Sequence, residues 1–204
     1  MLRIGIFGGT FSPPHMGHIY IAREAMQKAK LNKMIFIPCG NPYHKPKTAP
    51  VDVKHRFDMV RLAIENEPDF EISDIEVRSA KPSYTAETLE ILERLYPDDR
   101  LCFLVGGDSL IDMRGWYKPE EIFKRAEVIV ANRGGVDSVR IDAAVEEYRQ
   151  LYGACITVID INPVEISATD IRARLKDGAE LSGIVPEKVL EYIRENELYK
   201  ESIE

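Results

Sequence analysis

The chain has 204 residues, enough for one domain with a sizeable core, and 45% of its residues are hydrophobic. A formal net charge of −7 excludes a nucleic-acid or acidic-membrane surface as the main partner. Any anion site must therefore be a local concentration of positive groups on an acidic protein. Cys39, Cys102 and Cys155 are odd in number, widely spaced and in apolar surroundings. They form no disulfide framework and have no metal-ligand spacing, so they read as reduced core thiols of a cytoplasmic protein. The first residues lead straight into a strand with no secretory leader, and no apolar run approaches a membrane span.

Leu2 to Phe7 is a short apolar run, expected as a buried first strand. Gly8-Gly9-Thr10-Phe11-Ser12-Pro13-Pro14-His15-Met16-Gly17-His18 follows it and precedes a helix over roughly 15–30, with Ile19, Ala22, Met26 and Ala29 on its apolar face. Glycines at a strand end let the backbone turn and approach a ligand closely. His15 and His18 share one side of the helix's opening turn, where N–H groups and the helix dipole favour phosphate. Either imidazole alone reads equally well as a cap or a packing residue.

Lys33 to Pro38 predicts a second strand, and Cys39 to Pro50 a long Gly- and Pro-rich loop carrying His44 and Lys45. A helix is expected over roughly 52–66, with Val53, Phe57, Val60, Leu62, Ala63 and Ile64 apolar. A strand and its exit are expected over Phe70 to Val77. Thr85 reads as the N-cap of a helix to about Leu95, with Leu89, Leu92 and Leu95 on one face. Leu101 to Val105 is the most strand-like run and ends in Gly106-Gly107-Asp108. A short helix, the turn Arg114 to Tyr117 and a helix opening at Pro119 come next. Val128 to Ala131 predicts a strand ending near Arg133, followed by an amphipathic helix over about 138–152 and a strand over Cys155 to Ile161. Ser167 and Pro186 open the last two helices.

Strands alternating with helices at this spacing predict an α/β, Rossmann-like, doubly wound parallel sheet with helices on both faces. The chain reads as a single domain over 1–204 with a small helical C-terminal part from about 167. Ligands of such sheets bind beyond the carboxyl ends of the strands at the topological switch point, where the glycine-rich and basic segments converge. The opening loop lacks G-x-G-x-x-G spacing, so a dehydrogenase is disfavoured.

Gly9-x-Phe11-x-Pro13-x-His15-x-Gly17-His18 resembles the signature of the nucleotidyltransferase superfamily that shares its His-x-Gly-His with class I aminoacyl-tRNA synthetases. Ile166-Ser167-Ala168-Thr169-Asp170-Ile171-Arg172 resembles the second signature of that superfamily. Within it, Pro42-x-His44-Lys45, Pro82-Ser83-Tyr84-Thr85, Gly106-Gly107-Asp108, Trp116-Tyr117 and Val185-Pro186-Glu187 resemble the bacterial nicotinate-nucleotide adenylyltransferase family over nearly the whole chain. Two positions depart from the pattern. Ala168 replaces the second serine of the usual Ile-Ser-Ser-Thr, and Ser12 stands where many members carry an aspartate.

The resemblance implies transfer of the adenylyl group of ATP to nicotinate mononucleotide, giving nicotinate adenine dinucleotide and pyrophosphate. It implies an ATP site of Gly8, Gly9, Thr10, Phe11, His15, His18, Lys45, Gly106, Asp108, Arg133, Ile166, Ser167, Thr169 and Arg172, with His15, His18 and Arg172 at the reacting phosphates. The acceptor site implied is Thr10, Lys45, Tyr84, Thr85, Asp108, Trp116 and Tyr117, with Asp108 toward the ribose. Trp116, the only tryptophan, would stack on a pyridine ring, and the helix N-terminus at Thr85 would receive its carboxylate. Mg2+ would ride mainly on the ATP phosphates. Homo-oligomerisation stays open. So do an adenylyltransferase for nicotinamide mononucleotide or another phosphorylated acceptor, and a non-catalytic nucleotide-binding regulator on the same fold.

Overall fold

The computed structural model describes residues 1–41, 51–79, 81–134, 137–163 and 165–200. In chain order the elements are β1 (Arg3–Gly9), α1 (Met16–Lys28), β2 (Lys33–Pro38), α2 (Val53–Ile64), β3 (Phe70–Ile72), α3 (Thr85–Leu95), β4 (Arg100–Gly106) and α4 (Gly107–Asp112). A single 3-10 turn (Met113–Gly115) follows, then α5 (Pro119–Arg125), β5 (Ala126–Asn132), α6 (Ser138–Tyr152), β6 (Ile156–Asp160), α7 (Ala168–Lys176) and α8 (Glu187–Glu195). All six strands are parallel, in the order β3-β2-β1-β4-β5-β6. The chain winds outward from β1 in one direction and then returns to lay β4 on its other side. The switch point thus lies between β1 and β4, as the doubly wound expectation requires.

The alternation of side chains along each strand divides the core in two. On one face Ile4, Ile6, Phe103, Val105, Val128 and Val130 pack under α3, α4, α5 and α6. On the other, Met34, Phe36, Cys102, Leu104 and Ile129 pack under α1 and α2. Gly5 gives this second layer its close packing, since a Cβ there would stand 2.7 Å from the end of the Met34 side chain and 2.9 Å from Leu31, and both would have to shift. A third apolar cluster joins Met59 of α2 to Ile171, Val189, Leu190 and Ile193 of the C-terminal helices. The C-terminal part is therefore an extension seated on α2, which contributes to both its own sheet layer and the third cluster.

Several boundaries differ from expectation. β3 ends at Ile72, five residues short of Val77, because this edge strand has β2 as its neighbour and Ser73 makes the last ladder bond, to Phe36 O at 2.9 Å. The chain then turns, and Ile75 packs on the first core layer. Tyr84, not Thr85, occupies the N-cap of α3, and Thr85 is its first helical residue. Leu95 is 63% exposed, so Ala86, Leu89 and Leu92 make the buried face of that helix. Cys102 is buried, but Cys39 is only partly so and Cys155 is exposed, since it precedes the edge strand β6.

The feature with no counterpart in the sequence reading is Arg56. It sits on the buried stripe of α2 beside Met59 and Val60, and is 1% exposed. Its guanidinium donates to four carbonyls: Nη1 to Thr10 O at 2.8 Å, Nη2 to Cys39 O at 2.7 Å and Gly40 O at 3.3 Å, and Nε to Val51 O at 3.2 Å. One side chain thus joins the segments leaving β1 and β2 to the start of α2. Arg56→Met keeps the apolar stem and removes every donor, leaving buried acceptors unpaired. Urea unfolding should show a loss of about 3 kcal/mol; a loss within experimental error would mean those carbonyls find other partners.

Candidate active site

Gly8 and Gly9 at the end of β1, Gly106 at the end of β4 and Arg133 just past β5 meet along the carboxyl edge of the sheet. An ideal Cβ on Gly106 would lie 3.8 Å from Arg133 Nη2, which fixes how closely that guanidinium approaches the strand end. Phe11 turns the chain out of β1 with φ of +48°, a left-handed conformation that a bulky residue adopts only under constraint. The constraint is its ring, 3% exposed and packed edge-on to Phe7 and His18. Gly9 makes room for it, since a Cβ there would meet the Phe11 ring at 2.9 Å. The structure therefore places the Phe11 side chain in the second core layer.

His15 is the N-cap of α1 and His18 lies one turn on. Their rings stack at 3.7 Å between centroids. The His15 N–H donates to His18 Nδ1 at 3.2 Å, so a neutral His18 carries its proton on Nε2. His15 Nδ1 is buried and has no partner among the described residues. Burial and the nearby Arg133 charge bring the pKa of His15 down to about 4. Burial, then His15 and Arg133, hold that of His18 well below the usual imidazole value. Both are neutral donors at pH 7, which suits gripping phosphate oxygens and leaves no proton shuttle to perform.

The C-terminal part closes on this loop. Ser167 caps α7 by accepting from the Asp170 N–H at 3.1 Å. Arg172 Nη1 donates to Ser12 O at 2.8 Å and Nη2 to Thr169 Oγ1 at 3.1 Å. Met16 N–H donates to Ile184 O at 2.9 Å, and the Ser12 and Tyr199 hydroxyls share a buried bond of 2.9 Å. Arg172 is thereby held with His15 and His18 around the opening loop. Thr169 is exposed, and Ile166 packs on the third cluster rather than facing open space.

A cleft opens beside the loop, lined by Gly8 and Gly9 from the end of β1 and Thr10 just past it, by Tyr84, Thr85 and Thr88 around the start of α3, and by Trp116 and Tyr117. Trp116 stands edge-on to Phe103 at 6.2 Å, and Tyr117 lies over Tyr84 at 4.4 Å. Tyr148 of α6 fixes the turn that presents them: its hydroxyl donates to Leu110 O and accepts from Arg114 N–H, each at 3.0 Å. Four of the expected acceptor residues, Tyr84, Thr85, Trp116 and Tyr117, thus share one wall, with Thr10 opposite. Asp108 is in the first turn of α4, exposed and outside the cleft lining, while the adjacent Ser109 lines it. Lys45 and His44 lie outside the described residues.

Arg56, Glu76 and Ser109 were missed by the sequence reading. Arg56 had one signal, a charge at the apolar spacing of α2. Glu76 is the only charged side chain of the cleft lining among the described residues, and nothing local distinguishes it from a solvated acid.

The depressed histidines fix the sign of a pH dependence. Above the unfolded imidazole pKa of about 6.5 both states are neutral and contribute no slope. Below it the unfolded chain takes up the proton while folded His15 resists until about pH 4. Stability should fall by up to about 3 kcal/mol across that window on this account. Unfolding curves at pH 7 and pH 4.5 should show His15→Asn losing less than the parent, and identical losses would contradict the assignment.

The chain matches the cytidylyltransferase-like family over residues 6–174. It is 42% identical over 198 residues to a protein of Carboxydothermus hydrogenoformans, covering 97% of this chain and 98% of the relative. It is 38% identical over 204 residues to a protein of a Thermoanaerobacter species, covering 100% of this chain and 97% of the relative. Each bears the name "Probable nicotinate-nucleotide adenylyltransferase". Among solved structures, the Plasmodium falciparum nicotinic acid mononucleotide adenylyltransferase complexed with NaAD is similar with a TM-score of 0.81 at 19% identity, over 100% of both chains. The same protein complexed with APC gives 0.77. At that identity the likeness speaks for the fold, and the higher-identity relatives speak for descent. Two superfamily signatures folded onto one switch point, together with full-length relatives, lead to one conclusion: the chain belongs to the cytidylyltransferase-like family and, within it, to the bacterial nicotinate-nucleotide adenylyltransferases.

Proposed function

We infer that this chain transfers the adenylyl group of ATP to nicotinate mononucleotide, yielding nicotinate adenine dinucleotide and pyrophosphate for NAD biosynthesis. The observation that carries the reading is one of adjacency. The stacked pair of buried His15 and half-buried His18, near the charge of Arg133, stands in the loop leaving Gly8, Gly9 and Thr10, and those three residues also line an aromatic cleft that reaches the N-terminus of α3. The first half suits a triphosphate, the second a flat ring bearing a carboxylate.

The 5′-phosphate of the mononucleotide attacks the α-phosphorus of ATP in line, and pyrophosphate leaves from the opposite side. A phosphate monoester is already ionised near neutral pH, its second pKa being about 6. The reaction therefore calls for positioning and charge stabilisation rather than a general base. His18 and His15 supply N–H donors whose bonds strengthen as charge builds on the phosphoryl oxygens. Arg172 and Arg133 supply fixed charge, and Ser167 opens a second helix N-terminus facing the polyphosphate.

The acceptor carboxylate meets the first N–H groups of α3, which have no acceptor inside their own helix. An amide in the same place has no charge for the dipole to stabilise, which favours the acid over nicotinamide mononucleotide. Among the described residues no group of three or more His, Cys, Asp or Glu is placed to hold a metal ion. The polyphosphate oxygens of ATP are the hard ligands magnesium prefers, and on that ground we infer that it enters as MgATP, part of the substrate. Free cysteines at 39, 102 and 155 fit a reducing cytoplasm. No helix among the described residues is long and apolar enough to cross a membrane.

Pyrophosphate release with nicotinate mononucleotide, nicotinamide mononucleotide and phosphopantetheine as acceptors tests the reading. The acid should be used at least about tenfold more efficiently than the amide; equal rates would remove the carboxylate argument. His18→Ala should lower kcat by on the order of a hundredfold or more. Turnover within a few-fold of the parent would instead favour the non-catalytic reading.

A further inference from the structure

We propose that Glu76 is a positioning residue for acceptor recognition, acting through Thr88 to hold the first turn of α3 in register with the cleft. The inference rests on the adenylyl-transfer reading above. On that reading the acceptor carboxylate is received by backbone N–H groups at the start of α3, where Thr85 lines the cleft. Donors of that kind discriminate by position, and a helix N-terminus holds position only if something fixes it. An ordinary cap does not: Tyr84 stands at the N-cap, and its side chain makes no capping bond.

The restraint comes from outside the helix. Thr88, 7% exposed, donates its hydroxyl to Glu76 Oε1 at 2.8 Å; Tyr84 O lies 3.3 Å away as a second acceptor. Just before the helix, Ser83 N–H donates to Asn41 O at 2.8 Å, and Asn41 N–H donates to Ser83 Oγ at 3.3 Å. Glu76 is locked to the same segment by its backbone. Gly40 packs so closely that a Cβ there would lie 2.2 Å from Glu76 O. The tie runs from the end of β2, through the Glu76 backbone, out along its side chain to Thr88, and so to the N–H groups at Thr85. Arg56 anchors the same end of β2 through Cys39 O and Gly40 O.

Placing an acid here has a second consequence. Burial, followed by the Glu76 charge, pushes the Cys39 thiol up to about 11, so the neighbouring sulfur stays neutral and adds no anion to the cleft. Glu76 itself, committed to Thr88, is the one acidic side chain among the described residues of a wall that must admit a carboxylate. Its value must therefore lie in the restraint it provides, because its charge works against the ligand.

The test separates restraint from charge. Glu76→Ala and Thr88→Val break the same hydrogen bond from opposite ends, the latter without changing side-chain shape. Glu76→Gln keeps an acceptor oxygen and discards the charge. Steady-state kinetics with MgATP and nicotinate mononucleotide, and nicotinamide mononucleotide as substrate or competitive inhibitor, should be run on variants whose thermal melts show a folded protein. Breaking the tie should raise KM for the acid about tenfold, leave the constant for the amide within about threefold, and leave KM for ATP in place. Glu76→Gln should stay within about threefold of the parent.

Equal losses on acid and amide would overturn the proposal, as would Glu76→Gln behaving like Glu76→Ala, or parental kinetics in both bond-breaking variants. If one variant does not fold, the other carries the comparison. A parent chain that releases pyrophosphate with neither mononucleotide would instead defeat the adenylyl-transfer reading itself.

Discussion

The site depends on a buried guanidinium that has no carboxylate bonded to it among the described residues. Arg56 spends its donors on four backbone carbonyls, three of them on the segments leaving β1 and β2 and one at the entry to α2. Desolvation presses its pKa below the arginine norm, yet guanidinium remains the charged form at any ordinary pH. A cation in this place costs free energy, and the cost is met only because the carbonyls of two diverging loops all point at it. Remove the charge and those loops lose their common reference. Parallel sheets leave strand ends splayed at their carboxyl edge, so an enzyme that works there needs a device of this kind.

A second guanidinium repeats the device from the opposite side. Arg172 ties α7 to Ser12 O, while Tyr199 reaches the Ser12 hydroxyl from the far end of the chain. Both residues arrive through the third apolar cluster, which seats the C-terminal helices on α2. Glu197 and Tyr199 adopt positive φ values of 52° and 64° in the last turn, as Phe11 does in the opening loop. Backbone strain of this sort persists only where packing over-determines it. Phe11 and Tyr199 are both buried in this way, 3% and 9% exposed, and both border the Ser12 contact. The free energy of folding is thereby coupled to the geometry of the reacting site.

The same packing decides the chemistry of the histidines. Stacked on one another and flanked by Phe11 and Arg133, His15 and His18 are held in the neutral form, each with a single ring N–H, because burial and the Arg133 charge lower both pKa values. Charge enters this pocket with the nucleotide. Neutral N–H donors in a desolvated loop are stronger toward a phosphoryl oxygen than the same groups in water, because little competes with them. The aromatic cleft follows similar logic with its Trp116 and Tyr117 wall. Its selectivity rests on a helix N-terminus held in place by Glu76 and Thr88.

Much of this was legible from the residues alone. Apolar periodicity placed all six strands and the main helices, and the glycine-rich strand ends indicated the carboxyl edge as the working edge. The two signatures, His15 to His18 and Ile166 to Arg172, pointed to two distant segments that the fold joins through Arg172 and Ser12 O, because a motif compresses its chemistry into adjacent positions. What periodicity cannot carry is a contact between distant segments. Arg56 reads as a surface charge until Thr10, 46 positions away, is folded against it. Thr85 reads as an N-cap until the turn through Tyr84 takes that place, and Phe11 reads as a ligand residue until its ring finds Phe36 and His18. Glu76 and Thr88 are ordinary polar residues in sequence. The tertiary structure alone brings one to the other, by packing Gly40 against the Glu76 carbonyl. Local composition determined the frame and the reacting groups; long-range burial decided which polar atoms hold them still.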